Sequence, residues 1–440
     1  MSSSRAALLA LTFTAATLTA AVPAAAAAPR TAVIDLGGTR GYVRADPGVP
    51  LAGVELFVRA GLDRETTAQN GLAALVAEAV LHTPAAGTAT GSAPALPLAD
   101  AVNDRGGSIG YAVGTQTVRF YVEGTPDSLA AITPLVAHAL AAPAFDAATL
   151  TAARAALAER IADDESDPRL VGRAMLRSSY YRGGAGLPAL GSPTALASLT
   201  PADAKAFYDT WYHRGDAVVT AVGRTGEATA TASRALVEAL PAGTAPAAAV
   251  ATRPFAAQPK RIVTHRDVGA PYVVLGFAAP ALGERDFAAT LVMRALLGSV
   301  FDRTSAITPS PLLRPADTLY GYDTAPAHLV LWINGARVDP EVGLGAISAV
   351  VKAVSAKPVA APVLARYKET ARGAWALESL SLEERASAIG NAVTRGLDAD
   401  ASDDVTAAIS RVTAADVQRV AKKYFQKFDV ALIIPRTSGS

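Results

Sequence analysis

The chain has 440 residues and a formal net charge of +1; 51% of its residues are hydrophobic and 18% are charged. This length and hydrophobic content are typical of a folded protein with about two to four domains, and they exclude a largely disordered chain. Because the charges balance and form no long basic block, the composition does not favour nucleic acid or an anionic membrane surface as a partner.

The first 28 residues differ from the rest. Arg5 precedes an apolar stretch that ends in small residues with an A-x-A pattern, which is typical of a secretory signal cleaved near Ala27 or Ala28. An uncleaved anchor is the alternative. We predict that residues 1–28 are a signal peptide and that the mature chain is exported, to a periplasm or outside the cell. No other stretch reaches ~18 uncharged apolar residues, so we expect no membrane association of the mature form.

The remaining chain has no cysteine, so an exported protein of this sequence depends on core packing rather than on disulfides. The patterns predict strands near 32–35, 40–45, 53–60, 108–123 and 217–223, and helices over 69–81, 126–141, 146–164, 170–180 and 201–211. Strands with hairpin-like pairing followed by helices indicate an α+β layer rather than a parallel doubly wound sheet.

The sequence also repeats itself. The stretch LTPADAKAFYDTWYHRGDAVVTAVG at 199–223 is similar to VTAADVQRVAKKYFQKFDVALIIP at 412–435. Each copy begins with a threonine followed three residues later by an aspartate, a variant of the capping box that starts a helix. The strand, turn and helix over 54–81 are likewise repeated from residue 272. We therefore predict related domains over 29–239 and 261–440, joined by a Pro/Ala/Gly-rich linker at 240–260.

The repeated segments resemble the M16 metallopeptidases, the family of pitrilysin, insulinase and mitochondrial processing peptidase. The resemblance runs from about residue 31 to 436 and rests mainly on VELFVRAGLDRE, NGLAALVAEAVLHT, NDRGGSIGYAVGTQTVRFYVEG and VTAADVQRVAKKYF. It implies an α+β fold of two homologous, LuxS/metallopeptidase-like domains, each a mainly antiparallel sheet covered by helices.

In that family an H-x-x-E-H helix supplies two zinc-binding histidines and a general base. The register of the resemblance places the first histidine at Ala74, the base at Ala77 and the second histidine at Glu78. The motif is therefore degenerate, and no two of the five histidines lie four residues apart. Glu159 is the candidate for the family's later metal-binding acid, a remnant of the site. Because catalytic zinc needs about three protein ligands and a water, we expect no bound metal and no independent activity.

An alternative metal site combines Glu78, His82 and Glu159, because residues four apart share one helix face. It would make the chain a diverged zinc endopeptidase acting on peptides. The competing interpretation is that Glu78 is a solvated residue at the mouth of a former cleft. The resemblance also implies substrate-backbone contacts in the second half, for which Arg314 and either Tyr320 or Tyr322 are the nearest matches.

The resemblance therefore implies an exported, non-catalytic M16 subunit, a pseudo-peptidase. In a heterodimer it would complete a peptide-binding chamber with a catalytic M16 partner that carries an intact H-x-x-E-H motif. Unfolded peptide is the expected ligand, and nucleic acid is not expected. Two alternatives stay open: the diverged zinc endopeptidase, and a structural or binding subunit without a peptidase partner.

Overall fold

A computed structural model describes residues 30–436 apart from residues 91, 182, 248–259, 299–316, 322–326 and 335–338. The predicted signal peptide and the central part of the predicted linker lie outside the described residues. Each half of the chain builds one sheet with its own hydrophobic core.

The first half contains six strands and eight α-helices among the described residues. They are β1 Ala32–Asp35, β2 Arg40–Ala45, β3 Ala52–Val58, α1 Leu72–His82, α2 Leu98–Asn103, β4 Gly107–Val113, β5 Val118–Gly124, α3 Pro126–Ala141, α4 Ala147–Ser166, α5 Pro168–Tyr180, α6 Pro193–Ser198, α7 Pro201–Trp211, β6 Val218–Gly223 and α8 Glu227–Ala239.

The described part of the second half contains five strands and six helices. They are β7 Arg261–Arg266, β8 Tyr272–Ala279, α9 Phe287–Gly298, β9 Asp317–Gly321, β10 Ala327–Asn334, α10 Pro340–Ala356, α11 Ala361–Leu377, α12 Leu382–Thr394, α13 Asp404–Arg411, α14 Ala414–Val420 and β11 Asp429–Pro435. A π-helical turn, Ala421–Phe425, continues α14. Among the described residues, none of the helices combines the length and apolar character needed to cross a bilayer.

The two sheets share one topology, which confirms the predicted α+β fold of two related units. The first has the order β1-β2-β6-β3-β5-β4 and the second β7-β11-β8-β10-β9. Strands β2 to β6 of the first sheet correspond, in chain order, to strands β7 to β11 of the second. In each sheet the first and the last of these five strands pair in parallel (β2 with β6, β7 with β11), and all other pairs are antiparallel. β1 is the extra strand of the first sheet and pairs antiparallel with β2.

Two predicted elements differ from the structure. The single strand predicted at 108–123 is a hairpin, because the chain turns between Gly114 and Thr117, where the Gly114 amide donates to the Thr117 carbonyl. The helix predicted from residue 69 begins at Leu72, because Gly71 has a φ of +92°, which a residue with a Cβ rarely adopts. The short helices α2 and α6 and the whole of α8 were not predicted.

The repeated capping boxes form as the sequence predicts. Thr200 accepts from the Asp203 amide, and the Asp203 carboxylate accepts from the Thr200 amide and hydroxyl; Thr413 and Asp416 make the same bonds.

We expect Thr200→Ala and Thr413→Ala each to lower the free energy of unfolding by about 1 kcal/mol, whereas serine at either position should preserve most of it. Urea unfolding of the four variants measures this, and equal losses for alanine and serine would contradict it.

One helix from each half packs on the sheet of the other half. Helix α5 of the first half packs on β8 and β11, and helix α12 of the second half packs on β3 and β6. We call α5 and α12 the crossing helices. Gly172 of α5 lies against Val274, and Gly390 of α12 lies against the ring of Phe57, so closely that neither position has room for a Cβ. The two halves are therefore held together through helix–sheet contacts at core packing distance.

The α12 crossing buries a carboxyl group. Glu55 of β3 is 1% exposed; it accepts from the Ser387 hydroxyl of α12 at 2.9 and 3.0 Å and pairs with Arg119 at 3.2 Å. Burial raises the pKa of Glu55 to about 7, and the Arg119 charge opposes this shift. Because Ser387 belongs to the other half, the contact ties α12 to the first sheet.

The α5 crossing buries a histidine. His328 of β10 is 4% exposed, and its Nδ1 lies 2.9 Å from the Tyr181 hydroxyl. Its ring also packs against the ring of Tyr180. Burial lowers the pKa of His328 to about 3, and the positive charges of Arg173 and Arg177 act in the same direction.

This histidine should make the fold acid-sensitive. In the unfolded chain His328 takes up a proton near pH 6.5, whereas in the folded chain it stays neutral down to about pH 3. Its contribution to the free energy of unfolding is therefore complete above about pH 6.5 and falls by up to about 1.4 kcal/mol per pH unit below it.

Asparagine at this position keeps an acceptor near Nδ1 but cannot titrate. We therefore expect the difference in unfolding free energy between wild type and His328→Asn to shrink as the pH falls from 6.5 to 4.5. Urea unfolding at pH 7.5, 5.5 and 4.5 measures it. A pH-independent difference would contradict the assignment.

Candidate functional site

Helix α1 carries the positions that correspond to the zinc motif, and a buried carboxylate fixes its start. Glu65 accepts from the amides of Ala73 at 2.7 Å and Gly71 at 3.0 Å, and from the Asn70 side chain at 3.2 Å. These amides are free because the first turn of a helix has no internal acceptors for them. Burial raises the pKa of Glu65 to about 7, although these hydrogen bonds act to lower it. The start of α1 is thus anchored inside the first core.

The motif positions lie on the buried side of α1. Ala74 and Ala77 have no exposed surface, and Glu78 is only 6% exposed. The two alanines belong to the first hydrophobic core. The interpretation of Glu78 as a solvated residue is therefore wrong: its carboxylate is removed from water, and the surrounding side chains satisfy it instead.

Glu78 lies at the centre of a four-residue cluster, which we call the Glu78 cluster. The Tyr111 hydroxyl of β4 donates to Oε2 at 2.6 Å, and Nη1 of Arg160 on α4 lies 3.2 Å from the same oxygen. Nε2 of His82 lies 3.3 Å from Oε1. Arg160 also donates to the Tyr111 hydroxyl at 2.6 Å and stacks over the Tyr111 ring, 4.8 Å from its centroid.

The cluster pairs a buried carboxylate with a partly exposed guanidinium. A buried carboxylate is costly unless it is paired and hydrogen-bonded, and both conditions are met here. Burial raises the pKa of Tyr111, and the negative charge of Glu78 raises it further, so the phenol remains a hydrogen-bond donor at neutral pH. Oε2 of Glu78 accepts two hydrogen bonds, and Nε2 of His82 is the nearest group to Oε1.

The structure brings some predicted residues together and separates others. Glu78 and His82 are in contact, as their spacing suggests. Glu159 is exposed, whereas its neighbour Arg160 is the residue of α4 that reaches Glu78. Sequence reasoning missed Arg160 and Tyr111. The sequence does place Arg160 directly after Glu159, the candidate acid. To choose between these two neighbours, the prediction would have needed the register of α4 to within one residue.

This donor set does not fit a catalytic zinc. Such a site needs about three ligands that converge on one point and leave one position open for water. Here the carboxylate of Glu78 and the imidazole of His82 contact each other. Alanines stand where the resemblance places a histidine and the base. The cation beside the carboxylate is the Arg160 guanidinium. In the described parts of the chain, no group of three or more His, Cys, Asp or Glu side chains is arranged to hold a metal ion.

The second half has a charge-reversed counterpart of the cluster. Arg294 of α9 occupies the place in the repeat that Glu78 has in α1, and it pairs with Glu378 at the end of α11. Arg294 also donates to the Thr318 hydroxyl at 2.8 Å and to the Thr318 carbonyl at 3.0 Å. In both halves, therefore, an ion pair links the first long helix to a later one.

Of the predicted substrate contacts, only Tyr320 can be placed. It lies on β9, is 5% exposed, and its hydroxyl donates to the Pro280 carbonyl. Its ring packs against Phe287 in the second core. Arg314 and Tyr322 lie outside the described residues.

The fold is a two-unit α+β architecture, and its helix α1 carries the Glu78 ion pair at the positions that correspond to the zinc motif. The family model described as the peptidase M16 inactive domain matches residues 198–318. This match confirms the predicted resemblance to the M16 family over these residues. No curated protein matches the chain.

Solved structures share the fold over almost the whole chain. A protease from Helicobacter pylori has 16% identity and a TM-score of 0.78, with 92% of this chain and 100% of that chain covered. A peptidase M16 inactive domain from Pseudomonas fluorescens has 15% identity and a TM-score of 0.75, with 93% and 99% covered. A chain of complex III2 from Candida albicans, with Inz-5 bound, has 14% identity and a TM-score of 0.69, with 90% and 93% covered.

Proposed function

We propose that this chain is a non-catalytic, exported M16-type subunit that binds extended peptide and completes a chamber with a zinc-bearing partner chain. The observation that carries the proposal is the Glu78 cluster. The Arg160 guanidinium pairs with Glu78 and supplies the positive charge beside helix α1. Ala77 stands where the resemblance places the general base. In this proposal the fold positions a peptide, and alanines stand at the positions that correspond to the first zinc-binding histidine and the base.

The sheet edge next to the cluster is suited to an extended peptide. Tyr111 belongs to β4, the outermost strand of the first sheet. Because Gly114 donates to Thr117 and bonding alternates along an antiparallel pair, Ile109, Tyr111 and Val113 direct their backbone groups away from β5. An added strand could pair with these groups, which is a common mode of peptide recognition.

A pair of variants at one position tests peptide binding at this edge. Val113→Pro removes an outward N–H, whereas Val113→Ala shortens the side chain and keeps that N–H; proline is tolerated at edge strands when its nitrogen faces outward. We expect Val113→Pro to bind a fluorescein-labelled unfolded peptide about fivefold more weakly than Val113→Ala, in line with about 1 kcal/mol for one hydrogen bond. Circular dichroism verifies folding. Equal affinities of the two variants would contradict pairing at β4.

Export and the partner chain have separate support. Export rests on the basic, apolar and small-residue pattern of residues 1–28, and N-terminal sequencing of the secreted chain tests it, with a new terminus near Ala27 or Ala28 expected. The zinc-bearing partner rests on the family resemblance together with the closed Glu78 cluster. Purification from the native source should recover a second chain with an intact H-x-x-E-H motif, and recovery of the chain alone would contradict the pairing.

The likeness to a chain of complex III2 favours a second candidate, a structural subunit without a peptidase partner. The peptide measurement separates the two. A structural subunit would bind the labelled peptide neither as wild type nor as Val113→Ala, whereas a chamber subunit binds it in both forms.

A further inference from the structure

Arg160 uses one of its three guanidinium nitrogens in the Glu78 cluster. Its Nη1 donates to Oε2 of Glu78 and to the Tyr111 hydroxyl. Within the described residues, Nε and Nη2 of Arg160 form no hydrogen bond, and neither belongs to the buried polar atoms that lack a partner. Because the side chain is 42% exposed, these two nitrogens are open to water.

The two open nitrogens form one edge of the guanidinium plane. Their N–H bonds are parallel, so this edge matches the two oxygens of a carboxylate. The chain contains an example of this geometry, because Nε and Nη2 of Arg169 donate to the Asp167 carboxylate at 2.9 and 2.5 Å. In a bound peptide, the side chain of an aspartate or a glutamate supplies such a group.

The open edge lies beside the strand at which we place an extended peptide. Cζ of Arg160 is 4.8 Å from the centroid of the Tyr111 ring, and Tyr111 belongs to β4, the outermost strand. On an added strand, the residue opposite Tyr111 directs its side chain to the same face of the sheet, with its Cβ about 5 Å from that of Tyr111. That side chain therefore extends along the face on which Arg160 covers the Tyr111 ring.

The charges of α4 restrict what this position accepts. Glu159, Asp163 and Asp164 surround Arg160 in the sequence, and all three are exposed. In the described part of the chain, Arg160 pairs with Glu78 and with none of these three acids. The acids would repel an acidic stretch of peptide. A single carboxylate that reaches Arg160 is therefore the expected ligand group.

We propose that the Nε/Nη2 edge of Arg160 binds one acidic side chain of the peptide, at the position opposite Tyr111. The inference rests on the proposed peptide binding at β4, and it adds the chemical class of side chain that the site prefers. Nη1 of Arg160 neutralises Glu78, and the other edge of the same group contacts the ligand.

Four peptides test this preference. The parent is a fluorescein-labelled, end-blocked peptide of nine residues, composed of serine, threonine and glutamine with asparagine at the centre. The second has aspartate at the centre, the third has three central aspartates, and the fourth is the parent with a free C-terminal carboxylate. Anisotropy at pH 7.5 with the full chain gives the affinities. We expect the single aspartate to bind at least fivefold more tightly than asparagine, because hydrogen bonds to charged groups are among the stronger ones.

The other two peptides separate recognition of one side chain from a general effect of charge. Three aspartates should bind no more tightly than one, because the acids of α4 oppose the additional charges. The free C-terminus should give no gain. An equal gain from the free C-terminus would contradict recognition of a side chain.

Two protein variants locate the effect. R160K keeps a cation for Glu78 and Tyr111 but lacks the second edge, so the ratio of aspartate to asparagine affinity should fall below about twofold. E159Q changes the exposed neighbour and should retain the full ratio. Circular dichroism verifies that both variants fold. Each ratio compares two peptides on one protein and is therefore independent of a variant's overall affinity.

The outcomes distinguish this inference from the function on which it rests. Equal affinities of the aspartate and asparagine peptides for the wild type, or an unchanged ratio in R160K, would overturn the inference and leave peptide binding itself supported. Failure of all four peptides to bind would contradict the proposed function and this inference together.

Discussion

Replacing Gly390 by alanine is expected to lower the free energy of unfolding by about 2–3 kcal/mol, the upper part of the range for overpacking a tight core. An ideal Cβ at this position would lie 2.0 Å from the Phe57 ring. Phe57 is 1% exposed and belongs to the strand on which α12 packs. Either α12 must lift from the first sheet or the ring must leave its place, and both outcomes weaken the contact between the halves.

Gly373 provides the matched control. It also lies inside a helix, α11, but a Cβ there would have no neighbour within 4 Å. Gly373→Ala should therefore stabilise the chain by about 0.5–1 kcal/mol through helix propensity alone. Urea unfolding of both variants measures the two effects. A Gly390→Ala variant as stable as Gly373→Ala would contradict the close packing of α12.

Replacing Arg160 by leucine should lower the free energy of unfolding by about 2 kcal/mol. The change leaves the buried Glu78 carboxylate with Tyr111 and His82 but without its strongest cation, and a buried charge that loses its partner is costly. The estimate is moderate because the Arg160 side chain is 42% exposed, so water screens the pair.

A double-mutant cycle with Glu78→Gln isolates the charge interaction. In the Glu78→Gln background, Arg160→Leu should cost at least about 1 kcal/mol less than in the wild type, because no charge is left unpaired. Glu159→Leu is the control: this neighbour is exposed, and its replacement should change stability by less than about 0.5 kcal/mol. A coupling energy of zero would contradict the Glu78 cluster.

Much of the fold could be predicted from the sequence because the two halves of the chain repeat the same pattern of strands and helices. The Thr/Asp capping boxes and the strands that follow recur with constant spacing, so each copy supports the interpretation of the other. Helix α8 escaped prediction because the described part of the second half contains no second copy of it that could support the interpretation. The hairpin at Gly114–Thr117 was missed because its turn lies inside an almost continuous run of strand-forming residues.

The candidate site was harder to predict because its decisive contacts join distant parts of the chain. The register of α1 located Ala74, Ala77 and Glu78, but a single carboxylate in an apolar helix is compatible with either a solvated or a paired state. The choice depends on Arg160 and Tyr111, which come from α4 and β4. Likewise, nothing local to His328 indicates that α5 of the other half covers it.

The central claim is that the Glu78 cluster replaces a catalytic zinc site, and one measurement tests it most directly. Zinc content and cleavage of an unfolded peptide are determined on the same purified sample of the mature chain, with and without a zinc chelator. We predict no stoichiometric zinc and no cleavage by the chain alone. Zinc near one per chain with chelator-sensitive cleavage, both lost in Glu78→Ala, would contradict the account and establish the diverged endopeptidase instead.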